Sequence, residues 1–230
     1  MKKLLSALVQ CVSFVCAVHA FADQIVGLPA DPGTGNFYPF GGYSGRYQQV
    51  YNSKAFSGAI TINALEFFNT QGNSGATNMP SGTWTIALST TSADWNTLST
   101  NFAANVGSNN TIVFNGNLVQ PWSFGNTLRI NLNPSYTYLP RQGNLLVDVT
   151  ASGITTSGRF IYFNTTGSNG GNPLVGHVDS DGVRNGYGLV TGFIGPTIAG
   201  GGSIAIVTFV ILLTAWLAMC IRRSRQAVSR

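Results

Sequence analysis

The 230-residue sequence predicts an all-β exported domain of the jelly-roll-like β-sandwich kind, with an N-terminal signal peptide and one C-terminal transmembrane helix. Three observations predict it. Apolar residues alternate with period two through the middle of the chain. Clusters of Gly, Asn and Ser separate the alternating runs. The net positive charge is carried by the two ends. Charged residues make up only 8% of the chain, against roughly 25% in ordinary soluble proteins, while apolar residues make up 44%. With that apolar content and so little charge, the chain is not a disordered polyelectrolyte.

The formal charge of +5 resolves into three parts. Between Asp23 and Gly195 lie six cations (Arg46, Lys54, Arg129, Arg141, Arg159, Arg184) and all seven acids (Asp23, Asp31, Glu66, Asp94, Asp148, Asp179, Asp181), a net of −1. Lys2, Lys3, Arg222, Arg223, Arg225 and Arg230 supply the excess from the ends. A basic chain ordinarily suggests nucleic-acid binding. Here the basic residues read as membrane-targeting signals, and no nucleic-acid partner is expected.

Residues 1–22 read as a signal peptide. Lys2 and Lys3 form a basic start, Leu4 to Val18 an apolar stretch shorter than a spanning helix needs, and Ala20-Phe21-Ala22 a small-x-small cleavage pattern ahead of Asp23. Residues 23–195 form the exported domain and 196–203 a Gly-rich neck. Residues 204–221 are 18 uncharged residues, a helix about 27 Å long at ~1.5 Å per residue. Residues 222–230 form a basic cytoplasmic tail in which Arg222, Arg223 and Arg225 set orientation by the positive-inside rule, leaving the domain outside the cytoplasm. Cys11 and Cys16 fall in the signal and Cys220 in the span, so the exported domain holds no cysteine and must be stabilised by a core.

Strands are expected where alternation is clear. Trp84, Ile86 and Leu88 share one face, as do Leu128, Ile130 and Leu132; Leu145, Val147 and Val149 alternate with Leu146, Asp148 and Thr150. Further strands are expected over 46–52, 59–69, 110–119, 159–164 and 186–194. A phase change near Asn63 suggests a bulge. Between 92 and 106, Trp95, Leu98, Phe102 and Val106 stand near helical spacing and suggest a short helix.

Three stretches carry a resemblance: Arg46-Tyr47-Gln48-Gln49-Val50-Tyr51 leading to Phe56-Ser57-Gly58, then Ile86-Ala87-Leu88-Ser89-Thr90-Thr91, then Tyr138-Leu139-Pro140-Arg141-Gln142-Gly143-Asn144-Leu145-Leu146-Val147-Asp148-Val149. In this order they resemble bacterial PEP-CTERM sorting-domain proteins. The resemblance implies export in a bacterium that makes extracellular polysaccharide, and recognition of the tail by an exosortase-like processing enzyme. The family tail begins with Pro-Glu-Pro, where this chain has Ile194-Gly195-Pro196-Thr197. That departure leaves plain anchoring in the inner membrane as the alternative to processing and release.

Chemistry is sparse. His177, the one histidine of the exported domain, could join Asp179 and a serine in a hydrolytic triad, but no Gly-x-Ser-x-Gly elbow exists and a structural role is the stronger reading. Glu66 is the sole glutamate and lies in an expected strand, so a glycosidase pair separated by ~5–9.5 Å is not expected. No catalytic residue is assigned, and the protein is read as non-enzymatic. Asp179-Ser180-Asp181-Gly182 suits either a β-turn or a calcium site, with the EF-hand pattern broken at Val183. Loop aromatics Trp95, Trp122, Tyr136 and Tyr138, with Phe37, Tyr38 and Tyr43, offer a carbohydrate-binding reading in which exopolysaccharide is the ligand, while Trp84 belongs to the core.

Overall fold

Trp84, Ile86 and Leu88 all point into one hydrophobic core, as their two-residue period requires. The computed structural model describes residues 23–27, 35–69, 75–156, 159–166 and 174–196. The signal-peptide residues Ala20 and Ala22, most of the neck, the span 204–221 and the arginines 222, 223 and 225 lie outside the described residues. Among the described residues no helix is long and apolar enough to cross a membrane. The chain to Gly195 forms one compact unit; the segment from Pro196 onward is a second unit, of which only Pro196 is described.

Among the described residues, ten strands make two antiparallel sheets: β1 (Gln24–Val26), β2 (Gly45–Tyr51), β3 (Ile60–Phe68), β4 (Ser81–Thr91), β5 (Thr111–Gly116), β6 (Thr127–Tyr138), β7 (Asn144–Thr155), β8 (Val175–Asp179), β9 (Arg184–Asn185) and β10 (Thr191–Ile194). One sheet runs β1-β10-β3-β6 and the other β5-β4-β7-β2-β8-β9. The all-β expectation therefore holds at the level of two antiparallel sheets with a core drawn from both. Ile62, Leu65 and Phe67 enter it from the smaller sheet, and Trp84, Leu145 and Val147 from the larger.

The register shift between Ile62 and Ala64 against β6 is the bulge that the phase change at Asn63 predicts. β6 is longer than its alternation suggests, continuing through Pro134 to Tyr138. Proline is tolerated there because β6 is a sheet edge and one side of its backbone has no strand to bond. Arg159 to Asn164 forms no strand; Phe163 makes only an isolated bridge with Asn36. The stretch from Gly186 contributes only the four residues of β10. β8 has no polar alternation because both of its faces are buried.

No α-helix forms between Ser92 and Val106. A single 3-10 turn, Phe102–Asn105, is capped by the Asn101 side chain. The apolar spacing there serves a different purpose. Leu98, with Ala93, Phe102 and Val106, packs on Val50, Leu146 and Val178 to form a second core over the outer face of the larger sheet. This is why Leu146 is buried as fully as its neighbours Leu145 and Val147.

Polar groups pin that cover. Arg46 grips Asp148 with two bonds, Nε to Oδ1 at 2.9 Å and a terminal nitrogen to Oδ2 at 2.5 Å. Gln48 donates to Asp148 at 2.9 Å and to the Phe102 carbonyl at 3.1 Å, while its own oxygen accepts from Asn105 at 2.8 Å. On the inner face, Gln49 accepts from the Tyr47 hydroxyl (2.5 Å) and the Leu189 amide (2.7 Å) and donates to the Leu189 carbonyl (2.9 Å) and to Tyr51. Burying these amides costs little because each finds partners.

Candidate functional site

His177 sits in β8, buried, with its ring stacked on Tyr47 at 5.1 Å and edge-on to Tyr187 at 4.8 Å. Nδ1 donates to the Tyr187 carbonyl at 2.6 Å, which fixes the tautomer, so that Nε2 can accept from the Asn185 amide at 3.3 Å. Both nitrogens are occupied by structural partners, and no serine takes part. Burial lowers the imidazole pKa, with the Tyr187 carbonyl and then Asp179 opposing the shift.

A depressed histidine pKa means that the unfolded chain binds the proton more readily. Stability is then complete above the unfolded value of about 6.5 and falls as the pH drops below it. Melting temperature is expected to decrease from pH 7.5 to pH 5, and His177→Gln is expected to flatten that decrease. An unchanged slope in the variant would assign the pH dependence to other groups.

Asp179 closes its own turn. Its Oδ1 accepts from the backbone amides of Asp181 (3.0 Å) and Val183 (3.3 Å), and its carbonyl accepts from Gly182 (3.0 Å). This is an Asx turn of the ordinary kind. Asp181 points elsewhere: its Oδ2 accepts from the Tyr38 hydroxyl at 2.7 Å. The two carboxylates of the calcium expectation therefore serve different partners, and the turn accounts for Asp179. Among the described residues no three His, Cys, Asp or Glu side chains converge as metal ligands. Glu66 pairs with Arg129 at 2.7 Å on an exposed strand face, where such a pair stabilises by ~1 kcal/mol at most.

Of the loop aromatics, three are corrected by burial. Trp122 is 4% exposed, Tyr136 6% and Tyr138 0%, all within the main core, so their ring faces are not open to a sugar. Trp122 packs on Phe163 at 5.6 Å, and Tyr138 meets Phe56 edge-on at 4.9 Å. Closing the ends of two facing sheets takes large side chains, and these rings supply them. Trp95 is half-buried and lies against β8, where Gly176 leaves room: a Cβ added there would sit 2.6 Å from the Trp95 Cβ.

The other aromatics come together. Phe37 stacks on Tyr38 at 4.9 Å and lies 4.9 Å from Phe160, 6.0 Å from Tyr43 and 5.8 Å from Tyr162; Tyr38 and Tyr43 are 4.4 Å apart. Phe160 and Tyr162, read in sequence only as parts of a strand, join them because backbone bonds lock the two segments. Asn36 and Phe163 exchange bonds of 2.9 Å, and Ile161 donates to the Gly41 carbonyl at 3.0 Å. Glycine is required at 41, since a Cβ there would lie 1.9 Å from the Ile161 carbonyl oxygen. Burial and the Asp181 hydrogen bond push the Tyr38 hydroxyl pKa upward, so it remains a neutral donor.

The three stretches that carry the family resemblance occupy β2, β4 and β7 and the turn before β7, and these strands are neighbours in the larger sheet, in the order β4-β7-β2. Tyr138 donates to the Gly143 carbonyl at 2.7 Å. Gly143 has φ +134°, and a Cβ there would lie 2.7 Å from the Thr91 carbonyl oxygen. Asn144 accepts from the Ser53 amide at 2.9 Å and donates to the Ala93 carbonyl at 2.8 Å. Pro-x-x-Gly-Asn is thus a corner that ties the ends of β2, β4, β6 and β7 together. Compared with models of known families, with curated proteins and with solved structures, the chain matches none.

Proposed function

We propose that the chain is a non-enzymatic exported protein of the bacterial cell surface or extracellular matrix, held in the inner membrane or sorted through its C-terminal segment. The observation that carries this reading is the pairing of a cleavable-type signal before Asp23 with an uncharged 18-residue run ending in the 222–225 arginine cluster. The domain's limits support it. β1 begins one residue after Asp23 and pairs with β10, the last strand before the neck. The Asp23 carboxylate accepts from the Gly195 amide at 3.0 Å, so the mature start would close on the exit to the tail. The structural employment of His177 and Asp179 favours a binding or matrix role over hydrolysis. In finer detail we read the two sheets as jelly-roll-like.

The test is intact mass of the native protein from separated membrane and medium fractions. A species starting at Asp23 and ending at Arg230, found only in membranes, supports plain anchoring and overturns exosortase-type processing. A released species ending near Gly195 supports sorting. A species retaining Met1 in the cytoplasm overturns the whole reading.

A further inference from the structure

We propose that Phe37, Tyr38, Tyr43, Phe160 and Tyr162, with Asp181, form a binding site for a neutral saccharide. The proposal rests on the exported reading for where that ligand is met. Four observations carry it.

First, the five rings belong to neither hydrophobic core, yet they pack on one another, and Phe160 is 39% exposed. With the other four rings half-buried behind it, Phe160 offers an apolar surface whose position is already fixed, the kind that suits the C–H face of a pyranose. Second, the cluster has a polar margin: the Tyr38 hydroxyl, next to that of Tyr43, donates to Asp181. A carboxylate accepts from two hydroxyls at once, which is the donor pattern that vicinal sugar hydroxyls present. Asp181 would repel phosphate or uronate, and this selects a neutral ligand.

Third, the platform is pre-organised. The Asn36–Phe163 and Gly41–Ile161 backbone bonds hold its two halves together, so little ordering cost falls on binding. Fourth, it lies at the far end of the domain from the chain's exit. β2 starts beside the cluster at Gly45 and ends at Tyr51, whose hydroxyl meets Thr191 and whose ring lies 4.9 Å from Phe193 of β10. The exit at Gly195 is therefore about 20 Å along the strands from the rings, at ~3.3 Å per residue. Five clustered rings with one carboxylate at their margin match one or two sugar units; a folded protein partner would need about 800 Å² on each side.

The test uses the full chain, solubilised in a detergent without a sugar head group, and calorimetric titration with cellohexaose, maltohexaose, mannohexaose, chitohexaose and a decaproline peptide. At least one hexasaccharide is expected to bind. Phe160→Ala and Tyr43→Ala should each weaken it at least tenfold, and Asp181→Asn about fivefold, with melting temperatures within a few degrees of the parent. Binding by none of the four sugars overturns the proposal. So does equal binding by the Phe160→Ala and Asp181→Asn chains, or binding of decaproline alone. Saccharide binding by a chain that retains Met1 in cells would overturn the exported reading and leave the site standing.

Discussion

Trp84→Ala is expected to lower the melting temperature by about 10 °C or more, the largest effect of any single substitution in the core. Trp84 is fully buried on β4, an inner strand of the larger sheet paired with both β5 and β7. Truncating a buried aromatic to alanine costs about 3–5 kcal/mol, because lost transfer energy and an unfilled cavity add. That is a large share of the roughly 5–15 kcal/mol that separates folded from unfolded domains. Each kcal/mol moves the melting point of a domain of this size by about 2–4 °C. The indole Nε1 also donates to the Pro39 carbonyl at 3.2 Å, next to Phe40, whose ring reaches Phe67 of the facing sheet at 4.6 Å. Trp84→Phe keeps much of the buried area and loses that bond, so it should cost about 1–2 kcal/mol. Thermal melts of both variants by circular dichroism give the comparison. Equal, small shifts would mean that β4 does not carry the core.

The contrast between Trp84 and Trp122 shows what the sequence could reveal. Trp84 stands in unbroken alternation with Ile86 and Leu88, so its face is fixed by the pleat alone. Trp122 follows Pro121 in a stretch that forms no strand, and only the assembled fold places it against Phe163. Tyr136 and Tyr138 had a usable signal, since they alternate with exposed Ser135 and Thr137. Pro134 obscured it, because proline reads as a strand end unless the strand is known to be an edge. The aromatic cluster was half legible: Phe37, Tyr38 and Tyr43 are close in sequence, whereas Phe160 and Tyr162 reach them through the Asn36–Phe163 bridge and the Ile161–Gly41 bond. Alternation of Phe160 and Tyr162 with the buried Ile161 and Phe163 was the one local hint that they face outward. The misread helix at 92–106 has a similar origin, since residues that cover a sheet face need apolar contacts but no fixed period.

The second large effect is expected at the Arg46–Asp148 pair, where the two halves are unequally exposed. The Arg46 side chain is 35% exposed and can recover water when its partner is removed, whereas the Asp148 side chain is only 8% exposed. Arg46→Met therefore strands a buried carboxylate with Gln48 as its remaining side-chain donor. Asp148→Asn leaves a solvated cation and a side chain that can still accept from Gln48. Breaking a fully buried pair costs about 3–5 kcal/mol. Partial exposure on the arginine side brings this to about 3 kcal/mol for Arg46→Met and about 1–2 kcal/mol for Asp148→Asn. The double variant Arg46→Met/Asp148→Asn removes both charges and should be more stable than the sum of the singles by at least 1 kcal/mol. The loss should also be local. The Arg46 guanidinium lies 5.3 Å from the centre of the Phe102 ring, and Gln48 holds the Phe102 carbonyl and Asn105. Hydrogen exchange across Phe102–Asn105 is therefore expected to rise in Arg46→Met before the main core opens. Uniform exchange over the whole domain, or strictly additive losses in the double variant, would show that the pair does not act as the clasp of the 92–106 cover.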